Sequence, residues 1–326
     1  MINQITIGSR GSDLALWQAN HVQSQLKELG FQSTIKIIKT RGDKIQHLSF
    51  DKLEGKGFFT KEIEDALLNK EIDLAVHSHK DLETNPPKGL IIAAVSERED
   101  PSELLLIRKE SFDGSKFWGL KENAIVGTSS SRRKSQILLF REDLQIKDLR
   151  GNVPTRIQKL RNGNYDAILL AKAGVSRLNL DVSDLQVECL SKKWFIPAPA
   201  QGVLGLQIRE GDYSMKKILK KINSSSTQEV IKVERKILNL FKGGCQLPLG
   251  VYCEKDSNTT KLWVSILKSN QNHPLRIYKE NLSPEKVVQL LKSEIEGIKK
   301  VFISRDLNDG SLFEKTLISQ NITVFG

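Results

Sequence analysis

The stretch ITIGSRGSDLALWQANHVQSQLKELG, residues 5–30, decides the fold class. Its β-rich run to Ile7 predicts a strand and Gly8 to Ser12 a turn; Ala15, Ala19, Val22, Leu26 and Leu29 then recur at helical spacing until Gly30 stops the helix. Arg10 stands where that helix begins. The same grammar returns in AIVGTSSSRRKSQILLF (124–140), where Ser129, Ser130 and Ser131 precede Arg132 and Arg133. It returns in KDLRGNVPTRIQKLRNG (147–163), with Arg150 and Arg156 around Pro154, and in YDAILLAKAGVSRLNL (165–180), with Arg177 after Gly174. Free N–H groups and the helix dipole make such a junction a seat for anions, and arginine adds a two-pronged clamp for carboxylate or phosphate. A cation at a helix N-terminus costs about 0.3–1 kcal/mol in exposed settings, so repeated arginines there point to ligand binding.

Strands alternating with helices predict mostly parallel α/β sheets, whose ligands bind beyond the carboxyl ends of the strands. Two such blocks are separated by the polar SEREDPSE (96–103) and rejoined through IPAPAQG (196–202), and two crossings imply a cleft between two domains. The expected fold class is α/β, with two hinged doubly wound domains followed by a small α+β C-terminal domain. Expected boundaries are 1–98 with 200–222 for the first domain, 99–199 for the second and 223–300 for the third, with a tail at 301–326. The third domain is expected to hold one helix from Val230 to Phe241, three strand-like runs and a helix from Pro284, with Cys245 on a Gly-Gly loop.

The chain has 326 residues, 39% hydrophobic and 27% charged, which suits a globular protein of two or three domains and not a disordered one. No apolar run reaches the ~20 residues of a membrane span and the start, MINQITIGSR, lacks the apolar core of an export signal. A cytoplasmic location without membrane contact is therefore expected. Cys189, Cys245 and Cys253 are too scattered for a disulfide framework. The net charge of +11 asks for an acidic partner. Zinc-finger spacing, an aromatic-rich RNA-binding strand and a long basic block are all missing, which argues against nucleic acid.

DLAVHSHKD, residues 73–81, leaves two readings of its chemistry. A strand continuing past Val76 would point His77, His79 and Asp81 to one side, as a metal site requires. Alternatively Asp81 acts alone, as a carboxylate at the end of a buried strand.

GSRGSDLALWQ (8–18), TRGD (40–43), GKGFFTKEIEDAL (55–67), DLAVHSHKDL (73–82), VGTSSSRR (126–133), LRGNVPTR (149–156), YDAILLAKAG (165–174), PAPAQG (197–202) and GGCQLPLG (243–250) together closely resemble the porphobilinogen deaminase, or hydroxymethylbilane synthase, family. They occur in the family's order. The resemblance implies domains like those of type II periplasmic binding proteins. It implies an enzyme that joins four porphobilinogen units head to tail with loss of ammonia and releases linear hydroxymethylbilane by hydrolysis, in porphyrin and heme biosynthesis. It also implies a dipyrromethane cofactor held by thioether to a loop cysteine, matched by Cys245, and a catalytic aspartate, matched by Asp81. Lys80, Ser129, Arg132, Arg133 and Ser12 match cofactor-binding positions, and Arg10, Arg150, Arg156, Arg177, Gln201 and Ser78 match substrate-binding ones.

Each added ring brings an acetate and a propionate, so the growing oligopyrrole is a polyanion of the kind repeated arginines would hold. Loss of ammonia leaves a cationic methylene-pyrrole, which a carboxylate beside the pyrrole N–H groups stabilises. Under this resemblance the metal reading recedes, because the reaction needs no metal to activate water. His77 is then expected to be structural and His79, where many relatives have Met, at most to tune the pocket. Lys56 and Phe59 in GKGFF are expected on a loop over the cleft.

Two departures stand near that cleft: Ala200 occupies a position where the family usually has Gly, and ETNPP after Asp81 carries one proline more than many relatives. The tail KKVFISRDLNDGSLFEKTLISQNITVFG (299–326) resembles the opening strand and helix of uroporphyrinogen-III synthase, which implies a fusion remnant or truncated second enzyme and a functional coupling to that enzyme. A monomer is expected. The competing classes are a two-domain solute-binding module with an arginine-lined cleft and a basic nucleic-acid binder.

Overall fold

The computed structural model describes residues 4–44, 60–241, 247–256, 259–267 and 273–280. The expectations for Lys56, Phe59, Cys245, the helix from Pro284 and the tail at 301–326 lie outside the described residues. The chain runs β1 (Ile5–Ser9), α1 (Asp13–Glu28), β2 (Ser33–Ile37), α2 (Arg41–Lys44), α3 (Lys61–Leu68), β3 (Leu74–Ser78) and β4 (Leu90–Val95) before the first crossing. After it come β5 (Glu103–Ile107), β6 (Ile125–Gly127), α4 (Ser131–Phe140), β7 (Gln145–Lys147), α5 (Val153–Arg161), β8 (Ala167–Ala171), α6 (Lys172–Arg177) and β9 (Gln186–Leu190). The second crossing leads to β10 (Leu204–Arg209), α7 (Tyr213–Leu219), α8 (Ser225–Leu240), β11 (Leu249–Lys255), β12 (Thr260–Ile266) and β13 (Leu275–Lys279).

These strands form two mixed five-stranded sheets, β2-β1-β3-β10-β4 and β7-β6-β8-β5-β9, and a three-stranded antiparallel sheet β11-β12-β13. Helices cover both faces of the first large sheet. Ala19, Val22 and Leu26 of α1 join Met215 and Leu219 of α7 over Ile7, Leu74 and Val76, while Ile63 and Leu67 of α3 pack with Ala75 on the opposite side. In the second sheet the β5 run ELLLI divides between faces. Leu105 and Ile107 meet Ile137 of α4; Leu104 and Leu106 meet Ile157 and Leu160 of α5. Burial on both sides is why the run is apolar without alternation.

Each large sheet contains one reversed strand. β10 is antiparallel to β3 and β4, and β5 is antiparallel to β8 and β9. Both are the first strand after a crossing, so each begins where its parallel neighbours end. Glu103, opening β5, pairs with Ala171, the last residue of β8. Leu204, opening β10, pairs with Ser78, the last residue of β3. Reversal thus delivers residues of the crossings to the carboxyl-end edge, where α/β sheets bind ligands.

The crossings run side by side. Glu99 N donates to Gly202 O at 3.1 Å and Ser96 N to Leu204 O at 3.1 Å. Gly202 has φ +86°, and a Cβ there would lie 2.3 Å from the Glu99 carbonyl oxygen, so only glycine lets the strands pass this closely. Ala200 also has a positive φ, 59°.

In the third sheet's domain, α8 begins at Ser225 and not at Val230, because Ser224 caps it by accepting from Thr227 N. Val233 and Ile237 of α8 pack on Val251 and Val264. Glu234, fully buried, accepts from Arg98 at 2.7 and 3.2 Å, from Ala200 N at 2.7 Å and from Cys253 N at 2.9 Å, which ties α8 to both crossings and to β11. Burial pushes the Cys253 thiol up to about 12, so it packs as an apolar group. Among the described residues no helix is long and apolar enough to cross a membrane.

Candidate active site

β3 ends at Ser78 and the chain tightens into a 3-10 turn, His79–Asp81. The strand therefore does not continue, and of the two readings of this stretch the one-sided His77, His79, Asp81 set does not form. His77 and His79 are buried while Asp81 is exposed. His77 Nε2 lies 3.0 Å from Gln207 Oε1 inside the sheet layer. Burial pushes both imidazoles down to about 4, so they are neutral at ordinary pH. Arg235 of α8 donates to Leu82 O at 2.7 Å and to Glu83 O, fixing the backbone that follows Asp81.

Around this turn the reversed strand β5 and the helix starts of the second domain gather charge. Arg132 and Arg133 are N2 and N3 of α4, behind the Ser130 cap. Their penalty at a helix N-terminus is offset by Glu103, 0% exposed, whose Oε1 accepts from Arg132 Nη2 at 2.5 Å and whose Oε2 accepts from Arg133 Nη2 at 2.8 Å. Burial would raise the Glu103 carboxyl, yet Arg133, Arg132 and Lys80 overcome it and hold it at about 2. Arg132 Nη1 donates to Ile196 O and Arg133 Nη1 to Leu169 O, each at 3.0 Å. Lys80, beside Asp81, donates to Gln201 Oε1 at 3.2 Å, and Gln201 Nε2 reaches Glu103 Oε1 at 3.0 Å and Pro101 O at 2.7 Å.

Arg156 carries the second group of cations. Asn152 caps α5 and Pro154 lies in its first turn, which leaves Arg156 to donate through Nε to Gly151 O at 2.7 Å. Burial, then Arg133 and Arg150, push the Arg156 guanidinium down to about 10, and Asp81 opposes them. Lys80 is likewise pushed down by burial first, with Asp81 the largest opposing influence. Asp81 of the first domain therefore shares its surroundings with Lys80 and with Arg156 of the second.

The remaining predicted residues occupy the rim. Ser12 caps α1, accepting from Ala15 N. Ser78 Oγ accepts from Gln18 Nε2 at 2.8 Å, and Ser129 Oγ bridges Leu149 N and O, each at 3.0 Å. Arg10 lies close enough to His77 to disfavour its protonated form. Arg177 is the last residue of α6 and not at a helix start, so the dipole there favours it. It donates to Gly202 O at 2.6 Å and stands 5.5 Å over the Trp17 ring, joining the two large domains at the second crossing.

Sequence reasoning missed Glu103, Arg98, Glu234 and Arg235. Glu103 reads as the end of a polar hinge, although an acid directly before the apolar LLLI is a signal of a buried ion. Glu234 likewise falls among the buried Ile231, Val233, Ile237 and Leu238. The donor set fits a polycarboxylate ligand. Lys80, Arg132 and Arg133 gather around the Glu103 carboxylate, Lys80 and Arg156 face Asp81 with Arg150 beside Arg156, and among the described residues Arg133 Nε is buried without a partner.

A family model for "Porphobilinogen deaminase, dipyromethane cofactor binding domain" matches residues 5–217. The chain is 45% identical over 248 residues to the porphobilinogen deaminase of a Nitratiruptor species, covering 76% of this chain and 78% of the relative. It is 42% identical over 317 residues to that of Carboxydothermus hydrogenoformans, covering 95% of this chain and 100% of the relative. A putative methionine-binding lipoprotein from Bacillus subtilis superposes over 69% of this chain and 92% of its own, with 13% identity and a TM-score of 0.42. Sequence similarity over most of the chain, together with the family model across both large sheets, shows that the chain belongs to the porphobilinogen deaminase family, with its dipyrromethane-binding domain and its hydroxymethylbilane synthase activity in tetrapyrrole biosynthesis.

Proposed function

We propose that Asp81 is the catalytic group of this deaminase and that the cations around it divide the ligand's carboxylates between them. The observation that supports this most is the position of Asp81, exposed at the end of β3 yet within electrostatic reach of Lys80 and Arg156. Lys80, Ser129, Arg132, Arg133 and Ser12 would hold the dipyrromethane, attached through Cys245, and when bound it supplies the pyrrole carbon to which the first substrate unit is joined. Arg10, Arg150, Arg156, Arg177 and Ser78 would hold the acetate and propionate groups of porphobilinogen, with Gln201 assisting through its hydrogen bond to Lys80. Asp81 stabilises the positive charge that develops as ammonia leaves and takes up the proton released when the new C–C bond forms. Lys80 and Arg156 face that carboxylate from the two domains.

The same reading assigns residues 1–98 and 200–222 to the domain carrying Asp81, 99–199 to the arginine-rich domain, and 223–300 to the domain carrying Cys245. It places the enzyme in the cytoplasm as a monomer acting on porphobilinogen, and it takes the tail's resemblance to uroporphyrinogen-III synthase as the basis for a functional coupling to that enzyme.

The test is the intact mass of the purified chain with its colour under acid and an aldehyde reagent for dipyrroles. An adduct of two pyrrole units with colour is expected, and both are lost in Cys245→Ser. A solute-binding module would carry neither. Asp81→Asn is expected to keep the fold and the adduct and to lower turnover by about 10²-fold or more; turnover equal to that of the parent protein overturns the assignment.

A further inference from the structure

We infer that Glu103 is a positioning residue, whose buried carboxylate aligns the guanidinium forks of Arg132 and Arg133 and, through Gln201, the ammonium of Lys80 for the carboxylates they bind. The inference rests on the proposed roles of those three cations. Glu103 reaches the site because β5 is reversed, so that its first residue sits at the edge where β8 ends. Each carboxylate oxygen has assigned partners: Oε1 takes Arg132 Nη2 and Gln201 Nε2, and Oε2 takes Arg133 Nη2. The opposite prongs of the two arginines are held by Ile196 O and Leu169 O, so neither guanidinium is free to swing.

Stability alone does not require this arrangement. A buried ion pair replaced by well-packed apolar groups is often neutral or stabilising, because desolvation consumes the Coulombic gain. Here one carboxylate is set among more cations than it neutralises, and among the described residues Arg133 Nε is left buried without a partner. Such a cluster suits a second anion that arrives with the ligand. Lys80 faces Asp81 on its own turn, Glu103 on β5, Arg132 and Arg133 on α4, and Gln201 on the crossing. Without the charge of Glu103, the guanidinium groups facing Lys80 lose their nearest counter-ion, and the lysine gives up its proton at lower pH.

The experiment compares Glu103→Gln and Glu103→Asp in the full chain by three measurements: melting temperature, the rate at which cofactor-free protein given porphobilinogen gains the two-pyrrole mass, and KM for porphobilinogen as pH rises. For Glu103→Gln we expect folded protein, adduct formation slowed about tenfold, and KM raised about tenfold with kcat within about threefold. The alkaline rise in KM is expected about one pH unit lower, with Glu103→Asp returning it toward the parent position. A folded Glu103→Gln with parental KM, adduct rate and alkaline rise overturns the inference, and a loss of melting temperature alone marks a purely structural role. Should Glu103→Gln fail to fold, Gln201→Met cuts the link to Lys80 and leaves both arginine pairs intact. A severalfold higher KM is expected there, and a parental KM overturns the inference. Arg133→Leu separates the two levels. If it changes neither adduct nor KM, the reading of the cluster fails; if it impairs both while Glu103→Gln impairs neither, only the positioning role fails.

Discussion

Beside β10 the first large domain buries mainly neutral polar groups: Gln207 lies 3.0 Å from His77 and donates to Glu64 at 3.0 Å, and Gln18 donates to Ser78 at 2.8 Å. Burial pushes the Glu64 carboxyl up and both histidines down, each toward its uncharged form. Beside β5 the second domain buries ions, Glu103 against Arg132 and Arg133. Both sheets have the same strand plan, with the reversed strand fourth in order. Shared topology therefore settles where a crossing residue arrives but not what chemistry it brings. At this edge the first domain sets Asp81, with Lys80 beside it, over a neutral buried layer, and the second offers a field of fixed cations.

The largest effect expected from this contrast is on ligand binding. Arg156→Leu removes a charge-assisted contact of about 1.5–3 kcal/mol and is expected to raise KM about 10–100-fold. Ser12→Ala, on the first domain's rim, is expected to change KM by no more than about threefold. Steady-state kinetics on both variants checks this, and the reverse ranking would break the contrast.

Acid should separate the two halves next. For His77 and His79 the folded values near 4 lie below the ordinary 6.5, so between these limits the unfolded chain binds protons that the native one refuses. Stability then rises with pH across that window and is lost on acidification, by up to about 3 kcal/mol per histidine. Glu103, held at about 2 against an ordinary 4.5, contributes stability that is complete above 4.5 and is lost only as pH falls toward 2. Hydrogen exchange at pH 5 is expected to show the β1 and β3 amides opening before those of β5 and β8. Urea unfolding of His79→Met should show roughly half the parent's slope of stability against pH in the upper window. Earlier opening of β5 would break the comparison.

The smallest effect sharpens the hinge that both domains share. Ala200 sits at φ 59°, a conformation in which a Cβ costs roughly 1 kcal/mol, while its N–H is held by Glu234. Ala200→Gly is expected to stabilise the protein by up to about 1 kcal/mol in urea unfolding, less what glycine adds to the entropy of the unfolded chain. A loss of stability would mean that the strain is relieved elsewhere in the crossing.

Much of this was legible in residue order. The Gly stop after α1, the two crossings and the arginines that follow strands all depend on neighbours within a few residues, and local chemistry acts at that range. The turn at Asp81 could not be told from a continuing strand in residue order, because alternation persists through His79 while the backbone tightens beneath it. The reversal of β5 and β10 left no trace, since a run such as ELLLI is equally apolar in either direction. Pairing with β8 and β3 decided it, through contacts between residues far apart in the chain.

Residue order alone set the elements, the excess of cations and the acid that faces them, because propensity, capping and charge belong to each residue or its near neighbours. Only the packed molecule decided that Glu103 and Gln201 would meet Lys80, Arg132 and Arg133, because strand direction and the burial of an ion are set by long-range contacts and by the cost of leaving a charge without a partner.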